Sequence, residues 1–235
     1  LTLTQTIGTA ATYRVQNDGF GNQEYVDGVE NVIGTNLVDT IIGNSADNKL
    51  EAGSDADTLF GGAGFDTLVG GLGADTFRGG TGDDIIYGNA ELTSSADSDR
   101  DLVDFSTSST PVKVNLSSTI STILLSKEVS STLDVQTSVG EGTDKLYDIQ
   151  DVIGTSGQDT LVGDNTVNSL RGGADNDQLI GNGGADILLG EGGNDTIYGG
   201  LDGDNIYGGT TTVDSGTDTV DYSYITDGKA INADL

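Results

Sequence analysis

The sequence predicts an all-β solenoid, on three observations. A nine-residue pattern runs unbroken through six units over residues 34–87 and through six more over 154–207. In every unit residue one is Gly or Ala, residue six is Asp or Asn, and residue eight is apolar. The two runs stand 120 residues apart, so that Val32-Ile33-Gly34-Thr35 returns as Val152-Ile153-Gly154-Thr155. Self-similarity at a short fixed period marks a stacked architecture, in which each unit buries its apolar side against its neighbours.

The first run reads GTNLVDTII, GNSADNKLE, AGSDADTLF, GGAGFDTLV, GGLGADTFR, GGTGDDIIY. Positions seven to nine form a short strand whose middle residue points inward: Ile41, Leu50, Leu59, Leu68, Phe77 and Ile86. Positions one to six are a turn, so one unit is half a coil. Glycines at positions one, two and four let the chain pass through positive φ and draw backbone carbonyls together. In this run they include Gly53, Gly61, Gly62, Gly64, Gly70, Gly71, Gly73, Gly79, Gly80 and Gly82. Position six carries Asp39, Asn48, Asp57, Asp66, Asp75 and Asp84. Gly, Asp and Asn mark ordinary turns as well, but turn composition alone does not hold a nine-residue register over 54 residues.

The second run reads GTSGQDTLV, GDNTVNSLR, GGADNDQLI, GNGGADILL, GEGGNDTIY, GGLDGDNIY. Position six is Asp159, Asn168, Asp177, Asp186, Asp195 and Asp204; position eight is Leu161, Leu170, Leu179, Leu188, Ile197 and Ile206. Its turn glycines include Gly172, Gly173, Gly181, Gly184, Gly190, Gly193, Gly199 and Gly200.

This nonapeptide, G-G-x-G-x-D-x-U-x, resembles that of the repeats-in-toxin (RTX), or hemolysin-type calcium-binding, family. The resemblance implies a right-handed parallel β-roll with two units per coil, units n and n+2 stacked ~4.8 Å apart. It implies Ca²⁺ between stacked turns, held by position-six side chains of both turns and by oxygens of the Gly-rich stretches. The pairs are then Asp39 with Asp57, Asn48 with Asp66, Asp57 with Asp75, and Asp66 with Asp84. The Asn48 site has one carboxylate fewer and is expected to be the weakest. Hard oxygens in a flexible cage suit Ca²⁺, which takes ~6–8 of them, better than Mg²⁺, which keeps its waters. At least eight ions are expected, each adding ~1.4 kcal/mol at a tenfold excess over its Kd.

Composition narrows the alternatives. Nine basic against 38 acidic residues give a formal net charge of -29. Such a surface disfavours nucleic acid and anionic membranes. Ten of the carboxylates stand at position six of the two runs, where they repel across adjacent turns without a cation. The metal-free chain is therefore expected to be largely disordered. Without Cys or His there is no disulfide framework, thiolate site or His-activated nucleophile. No apolar run approaches the ~20 residues of a membrane span. There is no Gly-x-Ser-x-Gly elbow and no His-Glu-x-x-His helix, so catalysis within these residues is not expected.

In chain order, residues 1–33 read as a lead-in. Thr12–Val15 alternates like a strand, 16–19 is a turn, and 25–33 keeps the nine-residue register with Glu30 at position six and Val32 at position eight. Residues 34–104 read as a first roll that, after an insertion at 89–96, resumes once with Asp101 and Val103 in register. Residues 105–141 read as a Ser/Thr-rich spacer with a strand at 112–116 behind Pro111 and an apolar run at 120–125. Residues 142–221 are a second roll, entered by Asp144, Leu146, Gln150 and Val152 in register, and 222–235 a terminal strand. Both rolls end in Asp-x-Val-Asp-aromatic-Ser, at 101–106 and 218–223. The chain is thus two tandem copies of one module, with its ends expected inside flanking copies. Position nine should face outward yet holds Ile42, Phe60, Val69, Tyr87, Val162, Ile180, Leu189, Tyr198 and Tyr207. That is either β-propensity on a solvated strand or a packing surface.

The resulting expectation is a calcium-folded structural repeat of a larger secreted bacterial protein, of adhesin, surface-layer or matrix type. Its sites bind at the millimolar Ca²⁺ found outside cells, and neighbouring copies of the module are its candidate partners. The alternative is a non-catalytic region of a secreted enzyme or toxin. Ice binding by a flat Thr/Asn array is disfavoured, because position three runs Asn36, Ser45, Ser54, Ala63, Leu72, Thr81.

Overall fold

A computed structural model describes residues 3–6, 12–15, 24–26, 29–89, 99–116, 134–137, 142–209 and 216–223. All secondary structure among the described residues is strand. A lead-in of β1 (Leu3–Thr6), β2 (Thr12–Val15) and β3 (Glu24–Val26) is followed by β4 (Asn31–Ile33). The first array then supplies β5 (Thr40–Ile42), β6 (Lys49–Ser54), β7 (Thr58–Ala63), β8 (Thr67–Leu72), β9 (Thr76–Thr81), β10 (Ile85–Tyr87) and β11 (Leu102–Asp104). Between the arrays lie β12 (Val112–Asn115), β13 (Asp134–Thr137), β14 (Thr143–Tyr147) and β15 (Asp151–Ile153). The second array supplies β16 (Thr160–Val162), β17 (Ser169–Gly173), β18 (Gln178–Asn182), β19 (Ile187–Glu191), β20 (Thr196–Gly200), β21 (Asn205–Gly209) and β22 (Thr219–Val220).

Odd and even units fall on opposite sides, as two units per coil require. Lys49, Leu50 and Glu51 pair in parallel with Thr67, Leu68 and Val69; Thr40, Ile41 and Ile42 pair with Thr58, Leu59 and Phe60. Each step is one coil of 18 residues. The result is a parallel β-solenoid of about eight coils, consistent with a β-roll. Its two faces are an 11-stranded sheet, β22-β20-β18-β16-β12-β13-β14-β10-β8-β6-β4, and an 8-stranded sheet, β21-β19-β17-β15-β11-β9-β7-β5. The core is a single file of position-eight side chains from both sheets. Ile41, Leu59, Leu68, Phe77, Ile86, Leu161, Leu170, Leu179, Leu188 and Ile197 are fully buried.

The two arrays share both sheets. Ile86 of β10 pairs with Leu146 of β14, and Val103 of β11 with Val152 of β15, all in parallel. The expected pair of tandem rolls is thus one continuous stack, because β11 and the lead-in to the second array keep the inward register at Val103, Leu146 and Val152. The expected spacer contributes structure of its own. β12 pairs in parallel with β16, and β13 lies antiparallel between β12 and β14. Val112, Val114 and Leu116 add to the core.

At position nine neither expectation holds along the whole stack. Val69, Val162 and Ile180 are buried, while Tyr207 is exposed. Between these extremes Phe60 lies under the Arg78 guanidinium at 5.4 Å, and Tyr87 stacks on Tyr147 at 4.8 Å. The turn expected at 16–19, the apolar run at 120–125, most of the insertion at 89–96 and the segment beyond 223 lie outside the described residues.

Candidate metal centre

Stacking at 18-residue intervals places each position-six side chain over its counterpart one coil away. On the 8-stranded side the backbone N–H of Asp39 donates to Oδ1 of Asp57 at 2.7 Å, that of Asp57 to Asp75 at 2.7 Å, and that of Asp75 to Asp101 at 2.9 Å. The ladder resumes from Asn168 to Asp186 at 2.8 Å and Asp186 to Asp204 at 3.0 Å. On the 11-stranded side it runs Asn48 to Asp66, Asp66 to Asp84 and Asp84 to Asp144, then Asp159 to Asp177, Asp177 to Asp195 and Asp195 to Asp218. All four position-six pairs read from the first array are therefore stacked neighbours. The ladders also take in Asp101, Asp144 and Asp218, which the candidate set left out. Their nine-residue register was the signal for Asp101 and Asp144; Asp218 was marked by the closing motif shared with 101–106.

One carboxylate oxygen serves the ladder; the other points into the turn. Burial leaves Asp57, Asp66, Asp84, Asp177 and Asp186 at most 3% exposed. Their Oδ2 atoms are enclosed and have no hydrogen-bond partner. Those of Asp66, Asp84, Asp177 and Asp186 lie where a β-carbon on the position-one glycine of their own turn would stand. A methyl on Gly61, Gly79, Gly172 or Gly181 would come within 3.0 Å of Oδ2 of Asp66, Asp84, Asp177 or Asp186. The same space receives a position-one carbonyl from the next coil: Gly79 beside Gly61, Gly190 beside Gly172, and Gly199 beside Gly181. At these four turns the position-one glycine is therefore required by close approach of oxygen, and none of the four has the positive φ expected of all three turn glycines. Positive φ belongs to positions two and four, as at Gly62 (117°) and Gly64 (115°), where carbonyls of Asn44 and Ala46 one coil earlier press close. The second array reaches the same conformation at Asp175, Asn182, Glu191 and Asp202 with φ of 68–76°. Gly70, Gly71, Gly73, Gly80, Gly82, Gly173, Gly184, Gly193 and Gly200 repeat these two roles.

The opening half-coils of each array are built differently. Thr35 donates to Asp39 Oδ2 through its N–H at 2.6 Å and its hydroxyl at 3.0 Å. Asn44 and Asp164 donate their N–H to Oδ1 of Asn48 and Asn168 at 2.7 and 2.8 Å, and Thr155 donates to both oxygens of Asp159. No residue at position two or four of these four turns has positive φ. The position-two amide can then fold back on the position-six side chain of its own turn.

Charge follows this division at Asp39 but not at Asp159, where burial outweighs the hydrogen bonds from Thr155 and Val112 and raises the group. In the metal-free chain, burial pushes Asp66 and Asp186 up to about 6, Asp84 to about 7 and Asp177 to about 8, with neighbouring carboxylates adding to the rise. At Asp39 burial works upward, but hydrogen bonds, those of Thr35 among them, outweigh it and hold the group low. A buried carboxylate without a counter-charge is costly. These turns therefore call for a proton or a cation. Among the described residues no three carboxylates converge on one point, so the donor set is one or two carboxylates among several peptide carbonyls. All are hard oxygens, with no nitrogen or sulfur, and the set fits Ca²⁺.

The family model of the RTX calcium-binding nonapeptide repeat matches in four copies, over residues 33–68, 69–91, 153–188 and 180–210, about half of the chain. No curated protein matches the chain. The matched segments are the two arrays whose coils carry the enclosed carboxylates, and the parallel solenoid is the architecture the repeat requires. The chain is an RTX-type β-roll protein, and its repeats form a calcium-binding module.

Proposed function

We propose that Ca²⁺ sits between stacked inner turns and converts a self-repelling acidic chain into a rigid rod, as a structural module of a secreted bacterial protein of adhesin, surface-layer or matrix type. The single observation carrying this reading is the set of enclosed Oδ2 atoms on Asp57, Asp66, Asp84, Asp177 and Asp186, of which those of Asp66, Asp177 and Asp186 sit beside a peptide carbonyl of an adjacent coil. These carboxylates and the carbonyls of positions one, two and four would hold the ions; Asp75, Asp195, Asp101 and Asp204 extend the two lines. The ion supplies positive charge, which lets the carboxylates be buried ionised. Asp39, Asn48, Asp159 and Asn168 are capped by their own turns and take a structural role.

Extracellular location follows from the ion: sites built mainly of neutral carbonyls bind weakly enough to respond to millimolar Ca²⁺. Folding is then coupled to export. The second reading, a non-catalytic roll beside a secreted enzyme's catalytic domain, uses the same sites; assaying the full-length secreted protein for protease, lipase or polysaccharide-modifying activity distinguishes the two. Circular dichroism during a Ca²⁺ titration, with Mg²⁺ as control, tests the mechanism. A cooperative coil-to-β transition with Ca²⁺ alone is expected; a full β signal in EDTA at neutral pH overturns it.

A further inference from the structure

The strands that form the join between the two arrays have counterparts at the outermost described coils. The modules correspond strand by strand, β4 to β11 matching β15 to β22 in order, and the lead-in sheet β1-β2-β3 matches β12-β13-β14. Both three-strand sets are antiparallel in the same order. Their registers agree residue for residue: Arg14 pairs with Tyr25 and Val15 with Glu24, as Asp134 pairs with Lys145 and Val135 with Asp144. Each partner differs by the 120-residue module offset. β1 also contacts β5, as β12 contacts β16.

At the internal join, β10 and β11 of one module stack on β14 and β15 of the next, and Ile86, Val103 and Val152 are 0% exposed. The Asp101 N–H donates to the side-chain Oε1 of Gln150 at 2.8 Å. The equivalent strands at the ends carry the same inward residues without that cover. Val220 of β22, equivalent to Val103, is 39% exposed, and Ile206 and Val32 are half-buried. Among the described residues β22 and β4 terminate opposite ends of the 11-stranded sheet, β21 terminates the 8-stranded sheet, and β3 the lead-in sheet. Glu30, as long as the glutamine, stands where Gln150 stands. Open strand edges of this kind are templates for pairing.

We propose that a second copy of this chain completes the join. β22 of one copy pairs in parallel with β4 of the next, Val220 against Val32, while β21 pairs with β3, Ile206 against Val26. Because β22 and β4 lie in the same sheet, each added copy continues both faces of the stack. The contact is head-to-tail and does not close, so copies extend into a filament. This rests on the calcium-folded roll proposed above, since two chains of formal charge -29 repel until ions neutralise them.

Sedimentation in saturating Ca²⁺, with circular dichroism on the same samples, tests it. Weight-average mass should rise at least about twofold as protein concentration rises about a hundredfold, and stay monomeric in EDTA. Val220→Asp should keep the Ca²⁺-induced β signal and lose the association. Register is read by cysteines, of which the chain has none: Asn31→Cys with Thr219→Cys should cross-link into ladders under mild oxidation. Thr40→Cys with Thr219→Cys, on opposite sheets, should not. Ca²⁺-induced β structure that stays monomeric at every concentration, or equal cross-linking of both pairs, overturns the head-to-tail join. Absence of any Ca²⁺-induced β signal overturns the calcium-folded roll itself.

Discussion

The opening half-coils of each array and the inner ones share a sequence register, a strand and a core position, yet treat their position-six side chain in opposite ways. In the opening turns Thr35, Asn44, Thr155 and Asp164 fold their amides onto Asp39, Asn48, Asp159 and Asn168. In the inner turns position two adopts positive φ, as at Gly53, Gly62, Gly173 and Asn182, and Oδ2 is left facing carbonyls. A change of backbone conformation at one residue thus separates a turn that satisfies itself from a turn that needs a cation. Asparagine serves at position six only in opening turns, where a neutral acceptor suffices. The junction between the arrays belongs with the opening turns: Gln150 and Asn168 follow one another in its ladder, and ion pairs Arg100–Asp151 and Arg78–Asp104 support it. On the proposed function, each array begins on a coil that can stack without metal and continues through coils that need a cation.

Stripping an inner line of its charge should break the contrast most severely. The double substitution Asp66→Ala with Asp84→Ala removes consecutive carboxylates from one side of the first array. It should abolish the Ca²⁺-induced β signal of that array, leaving roughly half of the circular dichroism amplitude at saturating Ca²⁺. Asp66→Ala alone affects the sites above and below its turn and should raise the Ca²⁺ midpoint on the order of tenfold. The full amplitude should return at high Ca²⁺. A wild-type midpoint for the double substitution would show that these carboxylates do not bind the ion.

The pH response sharpens the same contrast. Asp66, Asp84, Asp177 and Asp186 have folded pKa values raised to about 6, 7, 8 and 6 in the metal-free chain. A carboxyl raised on folding holds its proton more tightly in the folded state. Its stabilising contribution is complete below the ordinary carboxylate range and is lost as pH rises through about 6 to 8. Metal-free protein should therefore gain β structure and melting temperature between pH 8 and pH 5. With Ca²⁺ present the dependence inverts, because protons compete for the same oxygens: the Ca²⁺ midpoint should climb as pH falls over that range. Parallel thermal melts in EDTA and in Ca²⁺ read both directions. A metal-free protein equally stable at pH 5 and pH 8 would exclude buried, ionisable turns.

Much of the fold was legible because its signals are periodic. Position eight was apolar in all twelve units, and the structure buries Leu59, Phe77 and Leu188 there without exception in the array interiors. The stacked pairs followed from two units per coil, and β2 from alternation at Tyr13 and Val15. What sequence reading missed depends on contacts across coils. Two runs separated by 66 residues look like two objects, and only the pairing of Val103 with Val152 and Ile86 with Leu146 makes them one. The ladder from each position-six N–H to the next carboxylate is invisible in the repeat, because it uses backbone that every residue has. The capped opening turns were written in Thr35 and Thr155, whose role at position two shows only once the turn is folded.

The smallest expected effect is the most discriminating. Asp39→Asn keeps an oxygen in place to accept from the Thr35 N–H and hydroxyl, as Asn48 already does for Asn44. If opening turns are metal-independent, losing the charge should shift the Ca²⁺ midpoint by less than about twofold, well under 1 kcal/mol. Asp39→Ala removes that acceptor, leaves the turn's amide without a partner, and should cost about 1 kcal/mol of stability measured at saturating Ca²⁺. Asp57→Asn, one coil further in, changes the same atoms on a carboxylate whose Oδ2 is enclosed without a donor, and should raise the Ca²⁺ midpoint several-fold. Equal shifts for Asp39→Asn and Asp57→Asn would erase the distinction between opening and inner coils, and with it the reason each array starts with Thr, Asn or Asp at position two.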